Sequence, residues 1–471
     1  MVKERTKTNF TEGSIFDKLL YFVLPIVATN LLQMFYNAAD MMVVSASSES
    51  NAVGAIGTTT SFVHLVVNLF IGFSVGANVV VARAVGANDR GRVQKAVHTS
   101  LLMALIFGVI GGAIGFFVAK PVLTAMGNSG NLLELAVTYT HVYFLGVPFL
   151  ALTNYLSAIF RAKGDAKTPL VILAFSGVAN VLLNLFFVLV VGMSVEGVAL
   201  ATSAANLLSF VLMLWRLSKD QDMATFSFRS LRIDKEAFGE IVRIGLPAGI
   251  QSALFSISNM LIQSSIVAVN NASVPVGTKY QPIVNGNAAS GNLEGFIYTS
   301  MNAVYQGAVT FTGQNIGAEK PERVKPILYN CFLLTMIIGI TVSAVILIFK
   351  TPLLSLYGVV KGAEGSLERL AYDSANLRLW MIAATYFVCG LMEDCSGVLR
   401  GLGKSLLSMV VVLVGTCLLR VVWILVAFPL KPTLEMIFIC YPISWVLTGI
   451  ASFIVIQVLL KKVLMKYNAI Q

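Results

Sequence analysis

Charge is what this sequence has least of. Only 12% of its 471 residues are Asp, Glu, Lys or Arg, about half the share found in a soluble domain. Histidines number three (His64, His98, His141) and are scattered without ligand spacing, so no transition-metal site is expected. The five cysteines, an odd count, all fall inside apolar stretches: Cys331, Cys389, Cys395, Cys417 and Cys440. They read as small core residues rather than a disulfide or metal framework. There is no nucleophile–base pairing and no phosphate loop, which argues against an enzyme and leaves no cofactor to expect. The first seventeen residues are polar and lack an apolar region with a cleavage site, so no removable signal peptide is expected.

What fills the chain instead is hydrocarbon. Hydrophobic residues make up 57% of it, and its mean hydropathy is +0.81. Those values describe an all-α polytopic membrane protein. Twelve apolar spans are expected, near 18–43, 58–82, 94–119, 134–160, 168–191, 195–216, 240–268, 291–316, 324–349, 371–398, 405–428 and 433–460. With the N-terminus inside, 25 Lys and Arg residues fall on the inner side and seven on the outer side, with Arg420 left within a span. That asymmetry orients the chain as a multi-pass protein of the cytoplasmic membrane with both termini cytoplasmic. The net charge of +10 is then a matter of topology, and no nucleic-acid partner is expected. Of the two sequons, at Asn9 and Asn271, only the second falls on the outer side.

Asp40 is the conspicuous exception to the scarcity of charge. It sits in the first span, LPIVATNLLQMFYNAADMMVVS, below a stripe formed by Tyr36 and Asn37, Gln33, and Thr29 and Asn30 at helical steps. An ionisable group in a membrane helix is costly and usually faces a bundle interior or a watery cavity. The competing reading is that Asp40, roughly 30 Å along the helix at 1.5 Å per residue, merely reaches water at the outer end.

The chain also repeats itself. Pro25 of LPIVATN matches Pro247 of LPAGIQS at an offset of 222, VGANDRGRV matches IGAEKPERV at 231, and FRAKGD matches LRGLGK at 239. Three matches in one order give two homologous six-span bundles. Six is even, so the repeat is parallel, about an axis along the membrane normal. The expected organisation is an arm (1–17), an N-lobe (18–217), a cytoplasmic linker (218–239), a C-lobe (240–460) and a tail (461–471).

Those paired loops, the duplicated LP openings and NLEGFIYTSMNAVYQGAVTFTGQNIGA (292–318) resemble the multidrug and toxic compound extrusion (MATE) family along nearly the whole chain. The resemblance implies two six-helix lobes, a V-shaped central cavity, and export of organic cations driven by proton or sodium influx. It is nearer the DNA-damage-inducible-F-like branch, whose coupling cluster maps onto Asp40, Asn180, Asn184 and Thr202. Read from spacing alone, Ser176, Asn180 and Asn184 share one face of the fifth span, and Thr202 and Asn206 one face of the sixth. Asn184 departs from the branch, which has a carboxylate there. One negative charge rather than two weakens a sodium site and favours H+ on Asp40 over Na+. Such Asn and Thr residues also serve simply as interhelical glue.

The wider cavity is expected to draw on Gln33, Tyr36, Asn37, Asn302, Gln306, Glu393, Asp394 and Arg420, with Pro25 as a hinge in the first span. Glu393 and Asp394 are placed either to meet a cationic cargo or to be solvated and paired near the inner end. Arg420, deep in the eleventh span, needs a partner or a cavity, and by depth Glu294 and Glu435 are candidates. The expected partners are small organic cations and the lipid bilayer, handled by a monomer. A lipid-linked oligosaccharide flippase of the same superfamily is the alternative, but it should line its cavity with several Arg or Lys residues to hold a pyrophosphate. This chain offers chiefly Arg420 and Arg378.

Overall fold

Backbone N–H and C=O groups find no water in hydrocarbon, so an apolar chain must satisfy them within its own helices. The computed structural model describes residues 10–45, 52–126, 128–220, 223–275 and 280–468, and no strand occurs among them. The long helices of the first half are α1 (Ile15–Ser45), α2 (Ala52–Gly86), α3 (Arg90–Ala125), α4 (Gly130–Ala162), α5 (Lys167–Leu185) and α6 (Val195–Ser218). In the second half come α7 (Lys235–Ser273), α8 (Pro282–Gly317), α9 (Val324–Ile348), a short α10 (Lys350–Leu356), α11 (Leu367–Met381) and α12 (Tyr386–Gly401). They are followed by α13 (Ser405–Val412), α14 (Leu419–Val426), α15 (Leu434–Phe438) and α16 (Cys440–Asn468). The expected tenth span is thus α11 with α12, the eleventh α13 with α14, and the twelfth α15 with α16. Residues 1–9 of the arm with the Asn9 sequon, and residues 469–471 of the tail, lie outside the described residues.

Among the described residues, eleven helical stretches are long and apolar enough to cross a membrane. The eighth expected span, 291–316, lies in α8, which has the length (36 residues) but not the apolarity. Asn285, Asn287, Asn292, Glu294, Asn302, Gln306, Gln314 and Asn315 all sit in it. A helix this polar needs protein around it, and Asn287, Glu294, Gln314 and Asn315 are all buried.

The chain forms two compact units. The first gathers residues 1–14, 21–252 and 310–320, and the second 15–20, 253–309 and 321–471. The divisions fall within α1, within α7, within α8 and after Lys320. In the first unit, small residues let backbones meet. A Cβ on Gly72 of α2 would come within 2.4 Å of the Gly249 backbone of α7, so these helices cross in direct main-chain contact. The linker is clamped onto α3 rather than hanging free. Gln94 Nε2 donates to the Met223 carbonyl (2.8 Å), and the buried His98 ring bonds to Ser227 (3.1 Å) and stacks on Phe226. The backbone N–H of Asp234 donates to Thr99 Oγ1 (2.9 Å). The carboxylate of Asp234 accepts the Ala237 N–H at the start of α7 and pairs with Lys95, and these bonds hold its carboxyl below the usual carboxylate range.

The last described residues of the arm are also built in. Phe10 is 1% exposed, stacked on Phe311 at 4.0 Å and edge-on to Phe22 at 5.2 Å. Asn315 Nδ2 donates to the Phe10 carbonyl (3.1 Å) and Lys320 to that of Thr11 (3.1 Å). Phe10→Ala is expected to cost about 3 kcal/mol, the usual loss for emptying a buried aromatic site. A thermal melt in detergent should show the midpoint fall by several degrees.

Candidate functional site

In the first unit, three helices converge on one carboxylate. Asp40 lies five residues before the end of α1 and is only partly exposed. Asn184 of α5, completely buried, donates its Nδ2 to Asp40 Oδ1 at 2.5 Å. One turn earlier on the same face, Asn180 is best oriented with Nδ2 donating to Asp40 Oδ1 (2.8 Å) and Oδ1 accepting the Thr202 backbone N–H (3.3 Å). Thr202 of α6 turns its own hydroxyl back to the Val198 carbonyl at 3.0 Å. The four residues singled out from sequence for ion coupling are therefore neighbours. Immediately past Asn184 the α-helix gives way to a π-helical turn, Phe186–Val190, a distortion that tends to occur at functional positions.

Asp40 is thus held by protein rather than only by water at a helix end. Both amides can offer it nitrogen, which suits an ionised carboxylate. The Oδ1 of Asn184 is buried without a hydrogen-bond partner. Two tyrosines one turn apart on α4, Tyr139 and Tyr143, lie within electrostatic reach of Asp40. Sequence reasoning passed over them, although an i, i+4 tyrosine pair in an apolar span was a readable signal.

The stripe above Asp40 divides. Gln33 and Asn37 are exposed. Tyr36 is committed to packing: its hydroxyl donates to the Ala174 carbonyl at 3.0 Å, and its ring fills the place where a Cβ on Gly177 of α5 would stand. Thr29 donates to the carbonyl of Pro25 at 2.8 Å. Pro25 lies inside α1, where it removes one main-chain hydrogen bond.

In the second unit, Asn302 and Gln306 are half-buried and bonded to each other (Gln306 Nε2 to Asn302 Oδ1, 2.9 Å). The neighbouring acids of α12 part company. Asp394 is fully buried and accepts from Thr335 of α9 at 2.7 Å, so it belongs to a helix seam rather than to a cavity wall. Glu393 is half-buried within electrostatic reach of Arg400, which donates to the Tyr305 hydroxyl. Adjacent residues on a helix point about 100° apart, which separates the two.

The partners expected for Arg420 are corrected by the structure. Glu294 belongs to Arg378, in a two-pronged bond of 2.8 and 2.6 Å, and Arg378 also donates to Asn287 (2.5 Å), which in turn donates to Gln263 (3.0 Å). Glu435 lies on the exposed surface. Arg420, 2% exposed, has Nε bonded to Ser444 (3.0 Å) and its guanidinium 4.2 Å from the Tyr441 ring centre, with Phe255 and Trp445 each at 5.7 Å. No carboxylate lies within ion-pair distance of it among the described residues. The Arg378–Glu294–Asn287 network escaped sequence reasoning because Arg378 comes from α11, far along the chain from Asn287 and Glu294, which stand two turns apart on α8.

With this geometry in place, the chain can be set beside known proteins. The MatE family model matches residues 25–186 and 247–426, one stretch in each half. The probable multidrug resistance protein YoeA of Bacillus subtilis is 27% identical over 84% of this chain and 83% of its own. The probable multidrug resistance protein NorM of Thermotoga maritima is 22% identical over 87% and 86%. A MATE transporter solved in the bent conformation superposes with a TM-score of 0.88 at 18% identity, covering 99% of this chain and all of the other. An outward-facing multidrug resistance transporter of the same fold superposes at 0.87, with 18% identity over 98% and 99%. This chain, a multi-pass membrane protein, belongs to the MatE family.

Proposed function

We propose that the protein exports organic, mostly cationic compounds across the cytoplasmic membrane in exchange for protons, by alternating access. Its relatives YoeA and NorM bear the description of multidrug resistance proteins. The observation that carries the mechanism is the Asp40 carboxylate held by Asn184 and Asn180 in the first unit. On protonation, the new Asp40 O–H has a waiting acceptor. Asn184 already donates N–H to this carboxylate, and its buried Oδ1 is unbonded. A carboxylic acid and an amide pair naturally in such a ring, with N–H···O on one side and O–H···O on the other. Protonation would tighten α1 against α5, with Pro25 as the hinge that lets α1 respond. Coupling then requires that proton and cargo favour different states, because a ligand binding both equally shifts neither.

Sodium is the second coupling ion to weigh, and a cluster with a single carboxylate argues against it. The basic-inside asymmetry supports cytoplasmic termini, and a chain carrying both halves supports work as a monomer. A flippase would need several free cations for a pyrophosphate; of the two candidates Arg378 is already neutralised by Glu294, which leaves Arg420 to do it alone.

Efflux of a fluorescent cationic dye from proteoliposomes, under an imposed pH gradient and then a sodium gradient, tests this reading. Dye movement driven by the pH gradient alone is expected. Movement driven by sodium alone would reassign the ion, and no movement under either would remove the export reading.

A further inference from the structure

The first unit has an exposed helix face that does not suit lipid. From Leu105 to Val118 every exposed residue of α3 is apolar, and so is every exposed residue of α5 from Val171 to Leu185. Those faces fit hydrocarbon. α2 breaks the pattern: Thr60 and His64 are exposed and Asn68 is half-buried, at i, i+4 and i+8, which places them on one face. Nearly opposite, Phe62 and Val66 pack with Phe70 and Phe144, seating α2 against α4.

His64 is the ionisable member of this face. It stands inside the span expected at 58–82, about 9 Å from the start of that span at 1.5 Å per residue, farther than an imidazole can reach toward the surface. A group so placed needs a partner or water. Among the described residues His64 makes no hydrogen bond or ion pair, and protein partly shuts water away from a ring that stays exposed. A concave wall facing water meets both conditions. The titratable groups toward the same end of the neighbouring helices are Asp40 of α1, Lys120 of α3, Glu134, Tyr139, His141 and Tyr143 of α4, and Glu196 of α6. α7, which crosses α2 at Gly72 and Gly249, brings none between Ile244 and Ser252. None of these groups bears electrostatically on His64, so its charge follows the pH of the water it meets.

We propose that this face of α2 is a wall against which cargo rests, and that His64 sets how tightly a cation is held there. Neutral imidazole offers a flat face and one lone pair, and Thr60 and Asn68 add hydrogen-bonding groups beside it. Protonated imidazole places a like charge against a cationic cargo and weakens its hold. Loading therefore favours the less acidic side and release the more acidic one. His64 changes how tightly cargo is held, not which state the helices favour, so exchange itself stays with Asp40. The inference rests on the export reading above and adds a residue that tunes it.

The test is equilibrium binding of rhodamine 6G, a cation at both values, to purified protein in detergent at about pH 7.5 and about pH 5.5. Three proteins are compared: wild type, His64→Gln, which takes no charge, and His64→Arg, which always carries one. Asp40 and the other acids titrate alike in all three, so differences between them report His64. Acid should weaken binding about tenfold more in wild type than in His64→Gln, the effect of one like charge at a partly shielded site. His64→Arg should bind about tenfold more weakly than wild type already at the higher pH. His64→Asn and His64→Lys make the same comparison if either variant does not fold. An acid effect as large in His64→Gln as in wild type, or wild-type affinity in His64→Arg at the higher pH, would overturn the proposal. A wild type that binds the dye at neither pH would instead overturn the export reading.

Discussion

Replacing Asp40 with Asn should remove gradient-driven dye efflux by at least about 100-fold while leaving the protein folded. Asn keeps the shape and can still bond to Asn184 and Asn180, so the helix junction survives. It neither carries charge nor exchanges a proton, so the gradient no longer biases one state over the other. A ligand must differ in affinity by about 2.7 kcal/mol between states to change their ratio 100-fold, and Asp40 is the only carboxylate in this cluster to supply that difference. Asp40→Glu should retain part of the activity. Asn184→Asp should do something different: with a second carboxylate facing the first, the pair becomes able to hold a cation, and sodium should begin to drive the dye. Efflux of Asp40→Asn at the wild-type rate under the same gradient would contradict the coupling role outright.

The second large effect concerns stability. Glu294→Gln should destabilise the second unit by about 3–5 kcal/mol, because it leaves the Arg378 guanidinium buried without its counter-charge. Glu294 is 3% exposed, and Arg378 leans on the rings of Phe438 and Tyr441 at 5.7 and 5.8 Å. The double variant Glu294→Met with Arg378→Met should recover much of the loss, since an apolar pair of similar volume needs no counter-charge. Melting curves of Glu294→Gln and of the double variant measure this directly. A Glu294→Gln protein as stable as wild type would show that the pair carries no such cost.

How far the sequence reached can be traced through particular residues. Asp40 was legible because one acid in an apolar span is conspicuous, and the polar faces of Asn180 and Asn184 and of Thr202 because they repeat at i, i+4; that these residues gather around Asp40 was implied by the family resemblance. Arg420 was legible as a buried charge, but its surroundings were not. Depth along a span says nothing about which way a side chain points, so Glu294 matched Arg420 by depth and met Arg378 instead. The same blindness joined Glu393 to Asp394, which the helix turns apart. Hydropathy counted the spans well and met its limit at α8, whose polar residues are shielded by neighbours no hydropathy sum can see. The unit boundaries inside α1, α7 and α8 depend on contacts between distant segments, while sequence marks the polar linker. The linker shows in sequence only as a polar stretch, and its bonds along α3 join residues about 130 positions apart.

The central claim is exchange of cargo for protons through Asp40. The most direct measurement places purified protein in sealed vesicles with a pH-reporting dye trapped inside and no initial pH difference. A cargo gradient is then imposed. Downhill movement of the cargo should drive protons in the opposite direction in wild type, unchanged by sodium, and Asp40→Asn should abolish the proton signal. Cargo crossing at full rate with no proton movement would contradict the account.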